Sequence, residues 1–215
     1  MTRRGVRVGV LGGTFDPIHA GHVDIASAAG RSLDLTEVRF VTNRRAPHKP
    51  AAEASTHHRH AMVALATMSD EAFLADPREM DREGVSYTID TLESLRGELP
   101  EADLFFLVGG DSLRDLHSWH RWRDIMDLAT IVAVSRAGLD ADQLRATRAG
   151  ELAAGHVRLL EHEPPPWSST LLRQAMRRGL PPPMGALPPG VADYIRKSRL
   201  YARAPAPADD ARSPT

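Results

Sequence analysis

The chain has 215 residues, enough for one α/β domain with a complete core and few for two large domains. With 26% charged and 42% hydrophobic residues, its composition is that of a globular domain and excludes a fibrous or largely disordered chain. The 27 Lys and Arg residues are balanced by 28 Asp and Glu residues, so the overall basic charge of a nucleic-acid-binding protein is missing. Any anionic ligand must therefore be held by a local site.

The chain contains no cysteine, which excludes disulfides and thiolate metal sites. It also contains no apolar run approaching the roughly 18 to 20 residues of a membrane span. Residues 1–5 are basic but lead directly into a short apolar segment, which is unlike a signal peptide. We therefore expect a cytoplasmic protein that binds neither membrane nor nucleic acid. Its oligomeric state is not encoded in a readable pattern.

Predicted strands and helices alternate along the chain. A buried strand at 6–11 ends at two glycines, and apolar residues at helical spacing follow at 22–33. Further strands are predicted at 37–42, 72–75, 104–108, 130–134 and 157–160, and further helices at 55–68, 87–95, 119–128, 169–178 and 190–197. This alternation favours parallel strands with right-handed crossovers. We expect an α/β fold with a doubly wound parallel sheet and a short C-terminal helical region, as one domain at 1–201 with a disordered tail at 202–215.

The densest motif lies at 12–22, between the first predicted strand and the first helix, and reads Gly-Gly-Thr-Phe-Asp-Pro-Ile-His-Ala-Gly-His. In an open parallel sheet, ligands bind at the carboxyl ends of strands, where the next helix presents the positive end of its dipole. The glycines allow backbone to approach a phosphate, and the spacing of His19 and His22 places them on one face of the first helical turn. Neither a Walker loop nor a dinucleotide-binding glycine motif is present, so a different phosphate chemistry is required.

Two simpler interpretations of this motif remain open. It could be a tight turn followed by two surface histidines. It could also be half of a zinc site, although His19 and His22 would then need a third ligand, and the sequence offers neither an HExxH carboxylate nor a cysteine.

A second motif, Ser-Ser-Thr-Leu-Leu-Arg at 168–173, opens a predicted helix. Hydroxyls at a helix start cap backbone amides, and such amides also bind phosphate. Arg173, one turn into the helix, could add a charge-stabilising contact to a phosphate. Taken alone, the motif fits a routine helix cap with a solvated arginine equally well.

Together these motifs resemble the nucleotidylyltransferase superfamily, which carries a Gly-rich loop with a His-x-Gly-His pair after the first strand and a Ser-Ser-Thr-x-x-Arg motif near the end. The nearest match is the nicotinate mononucleotide adenylyltransferase family, and four further stretches support it: 43–49, 86–91, 109–113 and Trp119 within 117–122. The resemblance implies a Rossmann-like nucleotidylyltransferase fold. It also implies transfer of the adenylyl group of ATP to nicotinate mononucleotide in NAD biosynthesis, giving nicotinate adenine dinucleotide and pyrophosphate.

The resemblance also implies the site residues. His19 and His22 would contact the ATP phosphates, with His22 near the α-phosphate, and Arg173 completes the catalytic set. The rest of the ATP site would comprise Gly12, Gly13, Thr14, Phe15, Gly109, Asp111, Ser168, Ser169 and Thr170. The acceptor site would comprise Asn43, His48, Lys49, Tyr87, Thr88 and Trp119. Mg²⁺ is expected to enter with ATP, since the triphosphate supplies most of its contacts, and no protein metal ligand is predicted.

Each of these side chains has a suitable chemistry. Trp119 can stack on a pyridine ring, Thr88 with nearby backbone amides can receive a carboxylate, and Asp111 follows a strong strand where it can accept ribose hydroxyls. The sequence departs from the family pattern at Ala46, where a proline is common, and at Trp167, where a β-branched residue is common.

Alternatives to this function are a related adenylyltransferase acting on nicotinamide mononucleotide or phosphopantetheine, and a nucleotide-binding module without catalysis. The acid form of the pyridine nucleotide is favoured over the amide form. The cluster His57, His58 and His60 fits a solvated helix start.

Overall fold

The computed structural model describes residues 5–45, 50–109, 112–113, 115–135 and 155–202. Six strands in this part of the chain form one sheet: β1 (Arg7–Gly13), β2 (Glu37–Thr42), β3 (Phe73–Asp76), β4 (Asp103–Gly109), β5 (Thr130–Ser135) and β6 (Val157–Glu161). Every neighbouring pair is parallel, in the order β3-β2-β1-β4-β5-β6. The order reverses between β1 and β4, so the predicted doubly wound parallel sheet is confirmed.

Six α-helices of the described residues flank the sheet: α1 (Ala20–Ser32), α2 (Thr56–Thr67), α3 (Thr88–Glu98), α4 (Trp122–Leu128), α5 (Ser169–Arg177) and α6 (Pro189–Lys197). A short 3-10 turn, Leu116–Ser118, precedes α4. The ends of α5 were predictable because local capping residues mark them. The Ser168 hydroxyl accepts from the backbone N–H of Leu171 at 3.2 Å, and Gly179 follows the last turn with φ 73°.

The core has two halves, one on each face of the sheet. Along β4, Phe105 and Leu107 pack into the half covered by α1, α2, α5 and α6, whereas Leu104, Phe106 and Val108 pack into the half covered by α3 and α4. Strands that are buried on both faces explain the continuous apolar runs in the sequence.

The helix predicted at 119–128 begins later, at Trp122. Trp119 has extended backbone angles, φ −76° and ψ 145°, and Arg121 lies in the left-handed region with φ 50°. A helix cannot pass through a residue in that conformation. The Arg121 guanidinium pairs with Glu93 at 2.9 Å and with Asp124 at 2.7 Å, contacts that apolar spacing does not reveal.

The histidines of α2 are only partly a solvated helix start. His57 is exposed, as expected. His58 and His60 are half-buried, and their Nδ1 atoms contact the Tyr194 hydroxyl at 2.8 Å and Thr42 Oγ1 at 3.3 Å. Burial lowers the pKa of His60. The predicted tail at 202–215 lies, beyond Ala202, outside the described residues.

Candidate active site

The segment 12–19, here called the phosphate loop, lies at the carboxyl end of β1, beside the end of β4. Phe15 has φ 50°, and its buried side chain fills the core beneath the loop. A Cβ at Gly13 would lie 2.7 Å from the Phe15 ring, whereas a Cβ at Gly12 would make only an ordinary contact, 3.8 Å, with Phe106. Gly13 is therefore required by packing. Phe15 itself can offer only backbone atoms to a ligand.

The two histidines form a closely packed pair of rings, tilted by 32° to each other, at the start of α1. His19 is the N-cap residue, with extended φ −142° and ψ 170°, and the two ring centroids lie 3.8 Å apart. The backbone N–H of His19 donates to His22 Nδ1 at 3.2 Å. Because a backbone N–H can only donate, His22 Nδ1 must accept, and the ring proton of His22 is on Nε2. His22 therefore carries an N–H donor at Nε2.

His19 is a buried imidazole. Its exposed fraction is 7%, its Nδ1 atom has no hydrogen-bond partner among the described residues, and burial lowers its pKa to about 4. A Cβ at Gly21 would lie 3.1 Å from His19 Nδ1, so the glycine of the motif makes room for this ring. At neutral pH, His19 is thus an uncharged side chain with a polar atom left unsatisfied.

Two backbone amides near the start of α1 are already used. The N–H of Ala20 donates to Ala186 O at 2.9 Å, and that of His22 donates to His19 O at 2.9 Å. The imidazoles and the helix dipole, and not these two amides, are the groups that can receive a phosphate here.

Helix α5 is docked on the phosphate loop. Arg173 Nη1 donates to Asp16 O at 2.6 Å, and Arg173 Nε pairs with Glu53 at 2.6 Å. Ser169 Oγ donates to Pro17 O at 2.8 Å. The structure thus brings the second motif to the first, as the sequence indicated. The hydroxyls of Ser168 and Ser169 serve the helix cap and this docking, while Thr170 is exposed.

Asn43, at the end of β2, adjoins the phosphate loop. Its backbone N–H donates to Gly13 O at 3.0 Å, and its Nδ2 donates to Thr14 Oγ1 at 3.3 Å. Its Oδ1 is buried without a partner among the described residues. A cavity of about 500 Å³ opens here, and its lining includes Thr14, Asn43, Arg44, Arg45, Ser55 and Arg59. Three arginines make the cavity suitable for an anion.

Three of the predicted acceptor residues, all in the described part of the chain, lie at or near the start of α3. Tyr87 is its N-cap residue and makes no side-chain cap, and its ring lies 4.5 Å from that of His120. The neighbouring Trp119 is half-buried, with its ring edge-on to Phe106 at 5.9 Å. Thr88 is the first residue of α3, and Gly109 is the last of β4. His48, Lys49 and Asp111 lie outside the described residues.

Three buried residues with polar side-chain groups were not predicted from the sequence: Asp16, Arg59 and Tyr201. Asp16 accepts from the backbone N–H groups of Glu53 at 2.8 Å and Ala54 at 3.1 Å, and from the Tyr201 hydroxyl at 2.7 Å. Arg59 donates to the carbonyls that flank the cavity. One signal could have found Arg59, because it shares the apolar face of α2 with Met62, Val63 and Ala66. A charged residue on such a face indicates a specific role.

Among the described residues, no group of three His, Asp or Glu side chains is arranged to hold a metal ion. In the same part of the chain, none of the helices has the length and apolar character needed to cross a bilayer.

Comparison with known proteins identifies the family. The cytidylyltransferase-like family model matches residues 10–175. A relative from Aeromonas salmonicida is 43% identical over 209 residues (90% of this chain, 96% of the relative), and one from Leifsonia xyli is 42% identical over 195 residues (91% and 94%). Both are named as probable nicotinate-nucleotide adenylyltransferases.

A solved structure described as Plasmodium falciparum nicotinic acid mononucleotide adenylyltransferase complexed with NaAD superposes with a TM-score of 0.72. It is 19% identical, and the match covers 91% of this chain and 97% of that one, so the fold is shared along nearly the whole length. The chain therefore belongs to the cytidylyltransferase-like family and, within it, to the nicotinate-nucleotide adenylyltransferases.

Proposed function

We propose that the chain transfers the adenylyl group of MgATP to nicotinate mononucleotide, with His19, His22 and Arg173 acting on the ATP phosphates. The observation that carries this proposal is the closely packed histidine pair at the start of α1, located where the strand order reverses and beside a cavity whose lining includes arginines. We also propose that the reaction takes place in the cytoplasm.

The reaction is a substitution at phosphorus. An oxygen of the acceptor phosphate forms a bond to the α-phosphorus of ATP, and the bond from this phosphorus to the bridging oxygen of the β-phosphate breaks. Pyrophosphate leaves with its electron pair and with Mg²⁺. A phosphomonoester is already anionic at neutral pH, so no proton has to be removed from the nucleophile. The protein must align the two substrates and stabilise the charge that develops.

The geometry of the phosphate loop supports an ATP site at this position. His22 Nε2–H is the donor suited to an α-phosphate oxygen, and the unsatisfied Nδ1 of His19 is the adjacent polar atom. Arg173 supplies positive charge from α5. Backbone groups of Gly12, Gly13, Thr14 and Phe15 would line the phosphates, Gly109 and Asp111 would contact the ribose, and Ser168, Ser169 and Thr170 would complete the site.

The acceptor site would extend from the cavity to α3. The acceptor phosphate would bind beside Asn43, with His48 and Lys49 adding charge. The pyridine would lie against Trp119, with its carboxylate at the start of α3 near Tyr87 and Thr88. A helix N-terminus stabilises a carboxylate more than a neutral amide, which favours nicotinate over nicotinamide mononucleotide.

A pyrophosphate-release assay tests donor and acceptor together. ATP and CTP are each combined with nicotinate mononucleotide, nicotinamide mononucleotide and phosphopantetheine. We expect the highest kcat/KM for ATP with nicotinate mononucleotide. Equal or faster turnover of the amide form would refute the acid preference, and no turnover with any pair would refute the proposed function.

A further inference from the structure

Arg59 is a buried cation whose five hydrogen-bond acceptors among the described residues are neutral, while the charge of Asp16 acts on it electrostatically. It has an exposed fraction of 1% and lies in the first turn of α2. Its guanidinium donates to four backbone carbonyls and one hydroxyl: Thr14 O (2.7 Å), Asn43 O (2.7 Å), Ala54 O (3.2 Å), Arg44 O (3.3 Å) and Thr56 Oγ1 (3.0 Å). Burying a charge costs free energy unless hydrogen bonds compensate it, and an apolar residue could fill the same space without that cost. The hydrogen bonds of Arg59 therefore indicate a role beyond packing.

The contacts of Arg59 join the two halves of the proposed active site. A single nitrogen, Nη1, holds the carbonyl of Thr14 in the phosphate loop and that of Asn43 at the end of β2. The segment 43–45 is in turn hydrogen-bonded to residues that precede α3. Arg44 Nη1 donates to Arg82 O at 3.0 Å, and Ser86 N–H donates to Arg45 O at 3.0 Å. One guanidinium therefore connects the ATP side to the segment that carries the acceptor side.

We propose that Arg59 is a positioning residue for adenylyl transfer, which sets the separation between the ATP phosphates at the phosphate loop and the acceptor phosphate at Asn43. This rests on the proposed function. In-line attack depends steeply on the distance between the reacting atoms, and a planar guanidinium fixes several diverging carbonyls at once. A lysine keeps the charge and loses this geometry.

The test is Arg59→Lys, with Arg96→Lys as a matched control. Arg96 also donates to four backbone carbonyls, but away from the site: Leu99 O, Pro100 O, Ala102 O and Leu128 O. We expect kcat of Arg59→Lys to fall at least about tenfold with KM for both substrates within about threefold of wild type, because alignment is lost and binding is retained. Arg96→Lys should lower the melting temperature without lowering kcat.

Three results would overturn the positioning role: an unchanged kcat in folded Arg59→Lys, a rise in KM alone, or an equal fall of kcat in Arg96→Lys. If Arg59→Lys does not fold, Thr56→Val decides, because it removes only one acceptor of the guanidinium. Its kcat should fall about threefold, and an unchanged kcat would overturn the proposal. Wild-type turnover is measured first: its absence refutes the proposed function, whereas active wild type with unaffected variants refutes only the role of Arg59.

Discussion

His22 is oriented by the backbone N–H of His19. Since that N–H donates to Nδ1, it fixes both the ring direction and the tautomer, and the resulting hydrogen bond also belongs to the cap of α1. The same contact thus contributes to folding and to the placement of a donor for phosphate.

Replacing His22 with Ala should separate these two contributions. We expect kcat to fall by about 100-fold or more, because a donor to the developing charge is lost. Loss of the cap contact should cost only about 1 kcal/mol of unfolding free energy. Pyrophosphate release and urea denaturation measure the two effects. His57→Ala, on the exposed residue of α2, should change neither, and normal turnover by His22→Ala would contradict the assigned role.

The buried imidazole of His19 should make stability depend on pH. Its pKa is about 4 in the folded protein and 6.5 in the unfolded chain, so between these values only the unfolded chain binds the proton. Stability is therefore lost as the pH falls from 6.5 to 4, by about 3 kcal/mol for this group. Urea denaturation of wild type and His19→Asn over this range should show a shallower loss in the variant, whereas parallel curves would contradict the burial of a neutral ring.

At the scale of elements, β1 and the phosphate loop depend on a glycine for steric reasons. Gly13→Ala should destabilise the protein by about 1 to 3 kcal/mol, because its Cβ would lie 2.7 Å from the buried Phe15 ring. Gly12→Ala, the adjacent control with a 3.8 Å contact, should change the unfolding free energy by no more than about 1 kcal/mol. Thermal unfolding of both variants gives the comparison, and equal losses would show that the Phe15 contact is not the cause.

Most elements were predictable because their signals are local. Ser168 and Gly179 mark the ends of α5, and the apolar runs mark strands buried on both faces. The start of α4 was not predictable, because it depends on the left-handed conformation of Arg121 and on its ion pair with Glu93, a residue of α3. Such a contact is visible only after the two helices have been placed.

At the scale of the whole molecule, the C-terminal end of the described chain is hydrogen-bonded to the phosphate loop. Tyr201 adopts φ 61°, which is unfavourable for a bulky residue, and its hydroxyl donates to Asp16 at 2.7 Å. Asp16 also receives the backbone N–H groups of Glu53 and Ala54. A single carboxylate therefore joins the loop after β1, the segment before α2 and the end of the described chain.

Tyr201→Phe should lower the unfolding free energy by about 2 kcal/mol, because a hydrogen bond to a buried carboxylate is lost. Tyr194→Phe is the matched control, since its hydroxyl contacts an imidazole nitrogen, His58 Nδ1, at 2.8 Å and not a carboxylate, and it should cost about 1 kcal/mol. Urea denaturation of both variants measures the difference. A smaller loss for Tyr201→Phe than for Tyr194→Phe would contradict the importance of the Asp16 contact.

The candidate site was predictable where its chemistry lies in short motifs, such as His19 with His22. The residues that hold the segments of the site together were not predictable, because their contacts join residues far apart in the sequence. Asp16 and Tyr201 are 185 residues apart, and Arg59 and Thr14 are 45 apart. A sequence pattern shows that Arg59 is unusual on an apolar helix face, but only the fold shows which carbonyls it holds.

The proposed function depends on binding of the ATP triphosphate by the histidine pair at the start of α1. A crystal structure with a non-hydrolysable ATP analogue and Mg²⁺ tests it most directly. We expect His22 Nε2 at about 3 Å from an α-phosphate oxygen, with His19 in contact with the same triphosphate. A triphosphate bound with both imidazoles out of hydrogen-bonding range would contradict it.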